Sequence, residues 1–333
     1  MTPPATPMLS RVADSVYWMS RYIERAENIA RFIDVNLHLV LDLPVQVKQQ
    51  WEPLVTVTGD RDQFVERYGV ANRDTVIQFL AFDPGYANSI VSCLRAAREN
   101  ARSIREVISS EMWECVNEFY LFVTSPRGRQ TASTDPHAFF TEVKLSSQRF
   151  IGVREGTFSH GEGWHFLRLG GLIERAEKTS RILDVKYFML LPGVDYVGSP
   201  YDNIQWAAVL KSASGLEMYR KRVHRILPRE VCDFLIFERE FPRAIHYCLV
   251  RTEEALHKIT GSPAGTFSNL AERRLGRLRA ELDYSDIDEV FETGLHEYLD
   301  SLQAKLNAVD DAIFHTFFAM TPPPVAARPR GGE

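Results

Sequence analysis

Two short strings carry the residue types from which chemistry is made. Ile23-Glu24-Arg25-Ala26-Glu27 and Ile173-Glu174-Arg175-Ala176-Glu177 each set a carboxylate beside a guanidinium. Glu24 and Glu174 are the candidate catalytic acids or bases, and Arg25 and Arg175 suit bidentate capture of a carboxylate or phosphate. A denser cationic run lies in LRAARENARSIREVISSEMWECVNEFY. There Arg95, Arg98, Arg102 and Arg105 recur at helical spacing, with Glu99 interleaved and Trp113 and Asn117 continuing the same face. Such a face is either a solvated surface laced with ion pairs or a site for an anionic ligand or partner.

Other chemistries find less support. Glu162-Gly-Trp-His165 and Glu254-Ala-Leu-His257 have the ExxH spacing of di-iron helix bundles. The residues matched to the second pair are Glu99 and Arg102, and an arginine cannot ligate a metal, so no metal site is assigned. Cys93, Cys115, Cys232 and Cys248 form no CxxC and no zinc spacing, and they read as free thiols. His160 lies in the glycine-rich FSHGEGWH without an assignable partner. The stretch Gly156–Gly163 lacks the Lys-Ser/Thr ending of a phosphate-binding loop. No cofactor is expected.

Helices must position these residues. Apolar residues recur with helical rather than strand period, and this predicts helices over about 10–41, 74–82, 86–123, 137–150, 165–190, 203–226, 229–237, 241–260, 267–281 and 288–319. Loops are expected at 125–128, 152–163, 192–200 and 261–265. The proline- and glycine-rich ends, 1–7 and 321–333, read as flexible tails. YIERAENIARFIDVN (22–36) matches LIERAEKTSRILDVK (172–186) at a constant offset of 150 residues. VIQFLAFD and IVSCLRAARE (76–83, 90–99) match VCDFLIFE and IHYCLVRTEE (231–238, 245–254) at an offset of 155. Collinear matches of this kind point to a tandem duplication. They predict an all-α multi-helix bundle of two units, 8–150 and 151–320, packed about a pseudo-twofold axis.

The first motif helix has a broad apolar arc containing Met19, Ile23, Ala26, Ala30 and Ile33, and a second stripe containing Tyr17, Phe32, Val35 and Leu39. Arg21, Glu24, Arg25 and Asn28 fall within or between them. A helix with two apolar stripes packs on two sides, so these charges should be buried and paired. The second copy repeats the arrangement, except that Gly170-Gly171 stands where the first has Ser20-Arg21. Val250, Glu253, His257 and Thr260 match the four arginines of the cationic run, which makes that run a property of the first copy alone.

The bulk numbers are those of a globular protein, with 45% hydrophobic and 25% charged residues over 333 positions. The formal net charge of −5 argues against general affinity for nucleic acid or anionic membrane. MTPPATPML has neither a basic nor an apolar segment of a signal peptide, and a cytoplasmic location is expected.

LSRVADSVYWMSRYIERAENIARFIDVN, ARENARSIREVISSEMWECVN and the repeated IERAE together resemble the bacterial alpha-E domain family, over roughly residues 8–318. The resemblance implies a helical domain named for its Glu-Arg motif, which falls on Glu24-Arg25 and Glu174-Arg175. It also implies a setting beside circularly permuted ATP-grasp proteins, a transglutaminase-like protein and an Ntn-hydrolase peptidase. The function it suggests is that of a helical partner or scaffold in a peptide synthesis or modification system. An enzyme acting on peptide amide or carboxylate groups is the alternative, and a di-metal carboxylate bundle is the third reading.

Overall fold

The computed structural model describes residues 8–42, 51–188 and 198–319. Among them the chain is helical with no strand, as the periodicity predicts. In order, the helices are α1 (Ser10–Asp42), α2 (Glu52–Thr56), α3 (Arg61–Tyr68), α4 (Arg73–Ile77), α5 (Ile90–Ser103), α6 (Ser110–Thr124), α7 (Pro126–Thr134), α8 (Pro136–Thr157), α9 (Glu162–Phe188), α10 (Pro200–Ser212), α11 (Leu216–Arg222), α12 (Pro228–Phe237), α13 (Ile245–Thr260), α14 (Leu270–Tyr284), α15 (Ile287–Thr293) and α16 (Leu295–Ile313). A π turn, Gln78–Phe82, extends α4, and another, Phe314–Phe318, extends α16. The expected tails and most of the 192–200 loop lie outside the described residues.

The central element is α1. Its apolar arc is buried at Val16, Met19, Ile23, Ala26, Ala30 and Ile33, and so are Arg21, Glu24, Glu27, Asn28, Arg31 and Asp34 on its other sides. Such a helix needs neighbours all round, and it packs against α5, α8, α9 and α10. In the first half α1 touches α5 and α8, α5 touches α6, and α6 touches α8. In the second, α9 touches α13 and α16, α13 touches α14, and α14 touches α16. The same circuit of four helices is thus present twice, and one apolar core runs through both.

The circuits meet where α1 lies against α9. Met8 meets Glu162, Tyr17 meets Gly170, and Glu24 meets Arg175, so the contacts advance in the same direction and the helices run parallel. The closest approach falls at Gly170-Gly171. A Cβ on Gly170 would sit 2.4 Å from the Tyr17 carbonyl oxygen, and one on Gly171 would sit 2.7 Å from Ser20 Oγ. This explains the departure of the second copy from the first: Tyr17 and Ser20 on one helix fit only opposite two glycines on the other.

Several predicted boundaries differ. The helix expected over 86–123 is two, because Ile104 and Ile108 turn inward and Ser109 caps a new helix by accepting from the Met112 amide at 3.1 Å. Arg95, Arg98 and Arg102 therefore lie on α5, Arg105 lies in the turn, and Trp113 and Asn117 lie on α6. The helix expected over 203–226 breaks at Ser214, which has φ 51°. The one expected over 288–319 breaks at Gly294, with φ 97°. The loop expected at 125–128 is instead helical from Pro126, which opens α7, and the loop expected at 152–163 is confined to 158–161, because α8 runs to Thr157 and α9 begins at Glu162. The division at 150/151 falls inside α8.

The glycine contact yields a prediction. Ala is usually better than Gly inside a helix by about 1 kcal/mol, yet Gly170→Ala must force α1 and α9 apart. Overpacking costs about 1–3 kcal/mol, so its urea midpoint should fall below that of the parent. Gly152→Ala, on α8 with nothing within 4 Å of the added carbon, should match or exceed the parent. A raised midpoint for Gly170→Ala would contradict the close packing.

Candidate functional site

Where α1 and α9 meet, the two Glu-Arg strings exchange partners. Arg25 donates from Nε to Glu174 Oε1 at 2.6 Å and from Nη2 to Oε2 at 2.9 Å. Arg175 returns the contact, with Nε and Nη2 on the two oxygens of Glu24 at 3.1 and 2.8 Å. Each motif arginine thus forks onto the carboxylate of the other string, which is the stronger geometry for this pair. The parallel approach of the helices makes the exchange possible, since each Glu sits level with its counterpart's Arg.

Further residues complete the network. Arg21 Nε reaches Glu174 at 2.9 Å, and Arg21 Nη1 reaches Asp310 at 2.5 Å. Arg243 bridges Glu24 at 3.0 Å and Glu27 at 2.6 Å. Glu27 also takes Arg31 at 2.5 Å and the Ser147 hydroxyl at 2.6 Å. Arg243 follows Asn88 by the repeat offset of 155, and Asn88 accepts from Arg25 Nη1 at 2.6 Å. Neither Arg243 nor Asn88 was evident beforehand, although that offset marks both as matched positions.

The electrostatics follow from this crowding of guanidiniums. Burial alone raises the Glu24 carboxyl, but the charges of Arg175 and Arg243 overcome it and hold it at about 2. Glu174 is likewise lowered well below the ordinary range: Arg25, Lys178 and Arg21 outweigh its desolvation. Both carboxylates are ionised at neutral pH and saturated with donors, which suits neither a general acid nor a general base. Beside the network, Cys93 and Cys248 occupy equivalent places with their thiols against the Asn88 and Pro242 carbonyls. Burial pushes both up to about 12, so they are inert as nucleophiles.

A cavity of about 390 Å3 opens against the Glu24–Arg175 pair. Its lining includes Ser147, Phe150, Arg154 and Glu155 of α8, and Trp164, Arg168 and Leu172 of α9. Arg168 stacks over the Trp164 ring at 4.7 Å and forms no ion pair among the described residues. The Trp164 indole N–H is buried without an acceptor. Burial lowers the Arg154 guanidinium from its ordinary range, and Arg175 and Arg168 push the same way against Glu155. Arg154 is held by Glu155 at 2.9 and 2.5 Å, so Arg168 is the cation of the cavity wall without an ion pair among the described residues, and an anionic group would supply its partner. A groove of about 720 Å3 around Phe237 and Arg239 is larger but contains no motif residue.

The arginine run is placed differently. Arg98 donates to Asn117 Oδ1 at 2.7 Å and lies over Trp113 and Tyr120, brought together because α6 folds back on α5. Arg105 covers Trp113 at 4.8 Å. Glu99 takes Arg98 at 3.3 Å and Arg102 at 2.7 Å, and Arg95 reaches the Pro84 carbonyl at 3.2 Å. Arg95, Arg102 and Arg105 are exposed. In the second half Glu253 is engaged by Arg279 at 2.7 Å. The ExxH pairs are occupied elsewhere, with Glu162 on the Met8 amide and Glu254 on Arg251. No candidate ligand group among the described residues includes them.

Two predictions concern the network. Glu174→Ala leaves Arg21 and Arg25 buried without their shared partner and should cost about 3–5 kcal/mol in urea unfolding; an unchanged midpoint would show the pairing to be dispensable. The depressed carboxyls contribute stability that is present above about 4.5 and lost as pH falls through about 2. Melting temperatures measured across that window should fall steeply for the parent and less steeply for Glu24→Gln.

Comparison with known proteins adds a family and distant relatives. A family described as a predicted alpha-helical domain with a conserved ER motif matches residues 8–318. Uncharacterized proteins of Mycobacterium bovis and of two Mycobacterium tuberculosis strains are each 24% identical over 336 residues, covering 93% of this chain. The chain spans 37% of the length of those relatives. No solved structure matches it. No helix among the described residues is long and apolar enough to cross a membrane.

Proposed function

The chain belongs to the Alpha-E family, and we propose that it serves as a non-catalytic helical partner that presents an anionic peptide group to an ATP-grasp ligase. The observation that carries this reading is the cavity beside the exchanged Glu-Arg pairs. It offers Arg168, which has no ion pair among the described residues, with Arg154 and Glu155 paired beside it, while the carboxylates best placed for proton transfer are locked as ions. An ATP-grasp ligase activates a carboxylate by phosphorylation, so its partner needs no nucleophile of its own. Tandem duplication accounts for the repeated circuit, and divergence between the copies leaves one side free to bind. Exposed Arg102, beside Glu99, and exposed Arg105, over Trp113, supply a face for the partner, for which a transglutaminase-like protein or an Ntn-hydrolase peptidase are the other candidates. We place the complex in the cytoplasm, where ATP is available.

The reading is tested by co-elution with the neighbouring ATP-grasp protein and by an assay of ATP-dependent amide formation on an acidic peptide. Adding this chain should raise the rate. Arg168→Ala should raise the peptide KM about 10–100-fold, the range for losing one charge-assisted contact of about 1.5–3 kcal/mol. Arg102→Ala with Arg105→Ala should weaken co-elution and leave the melting temperature near the parent's. A ligase rate indifferent to this chain would reject the proposal, as would co-elution that survives the double substitution.

A further inference from the structure

A second group of chemically able side chains lies away from the cavity. Asp34 and His38 stand one turn apart on α1, and His137 comes from the first turn of α8. His137 Nδ1 is 2.6 Å from Asp34 Oδ1. The two imidazoles meet edge to face with centroids 4.7 Å apart. One ligand atom from each of the three residues falls within 4.8 Å of the others. Nitrogen and oxygen atoms bound tetrahedrally to one small divalent ion are about 3.3–3.6 Å apart at metal distances near 2.0–2.2 Å, so small rotations of the two exposed histidines close the set.

The surroundings orient these groups as ligands. His38 Nδ1 lies 2.9 Å from the Asp34 main-chain carbonyl, an acceptor only, which fixes the proton on Nδ1 and leaves the Nε2 lone pair open. Lys144 Nζ binds the other Asp34 oxygen at 2.6 Å, so the carboxylate is held from behind with Oδ1 turned to the histidines. Outer hydrogen bonds of this kind accompany metal-ligating histidines and carboxylates. A cavity of about 300 Å3, lined by Asp34, His38 and Lys144 with Arg31 and Lys211, adjoins the group and has room for a water or an anionic oxygen.

The second half supplies an internal comparison. Asp184, 150 residues on from Asp34, pairs with His296 Nδ1 at 2.7 Å. Residue 188, the counterpart of His38, is Phe. An Asp–His pair therefore suffices to link the helices there, and the additional imidazole of the first half has no part in that link.

We propose that Asp34, His38 and His137 form a binding site for a divalent ion of the zinc class, with two nitrogen ligands, one oxygen ligand and a fourth position open to the cavity. The ion takes the place of the Nδ1 hydrogen between His137 and Asp34, and the neutral imidazole carries its single proton on Nε2 instead. Lys144 opposes the incoming charge and makes the site weaker than a closed structural zinc site.

The test uses untagged, chelator-treated full-length protein titrated with Co2+ alone, read by visible absorption, and with Zn2+ alone, read by calorimetry. One ion should bind per chain, with Zn2+ displacing Co2+. His38→Gln and His137→Gln, both at exposed positions, should each weaken binding by more than about tenfold with an unchanged melting temperature. His296→Gln should retain the parent affinity. No stoichiometric uptake by the folded parent, or equal affinity in all three variants, would overturn the assignment.

Discussion

The exchange of arginines between Glu24 and Glu174 is the constraint on which the remaining structure depends. A buried carboxylate needs a cation, and here each finds its forked partner only on the other helix. This fixes α1 and α9 in register: a shift of one residue would strip two buried carboxylates and two guanidiniums of their forked partners. Apolar packing alone tolerates such slips far better, because it is not directional. The turns before α13 and α5 that carry Arg243 and Asn88, and α8 with Ser147, are then set by the same lock.

The lock also decides what chemistry is left over. Glu24 is an unpromising proton carrier, being ionised, enclosed and shared among two arginines and Asn28. What remains available near it is positive: Arg168 on the cavity wall, beside an Arg154 already paired with Glu155. A site of this character is better suited to holding an anionic group than to moving a proton.

Much of the helical layout could be read from periodicity, because α1, α9 and α13 have apolar faces too regular to be anything else. The burial of Glu24 and Glu174 also followed from two apolar stripes on one helix. The partner exchange did not, since a pattern gives the face on which a residue lies and not the residue it meets. Ser109 ended the long helix expected through the arginine run, a capping signal hidden inside an otherwise continuous helical sequence. Arg154 and Arg168 converge only because α8 turns back into α9, and His137 reaches Asp34 only through the packing of α8 on α1. Contacts between residues so distant in the chain leave no local trace. Gly170-Gly171 was visible as a departure from the repeat, but its meaning required knowing that Tyr17 and Ser20 lie opposite.

The parallel pairing of α1 with α9 has a consequence for how the chain is made. Everything between Asp42 and Glu162 must leave the ribosome before α1 can meet its main partner, which gives the fold many contacts of long sequence separation and slow closure. During that interval the face of α1 that awaits α9 carries Arg21, Glu24 and Arg25. Charges exposed to water cost nothing there, whereas an apolar face of equal size would invite association with other nascent chains. The ions of the seam between the halves are withdrawn from water only when the complementary helix arrives.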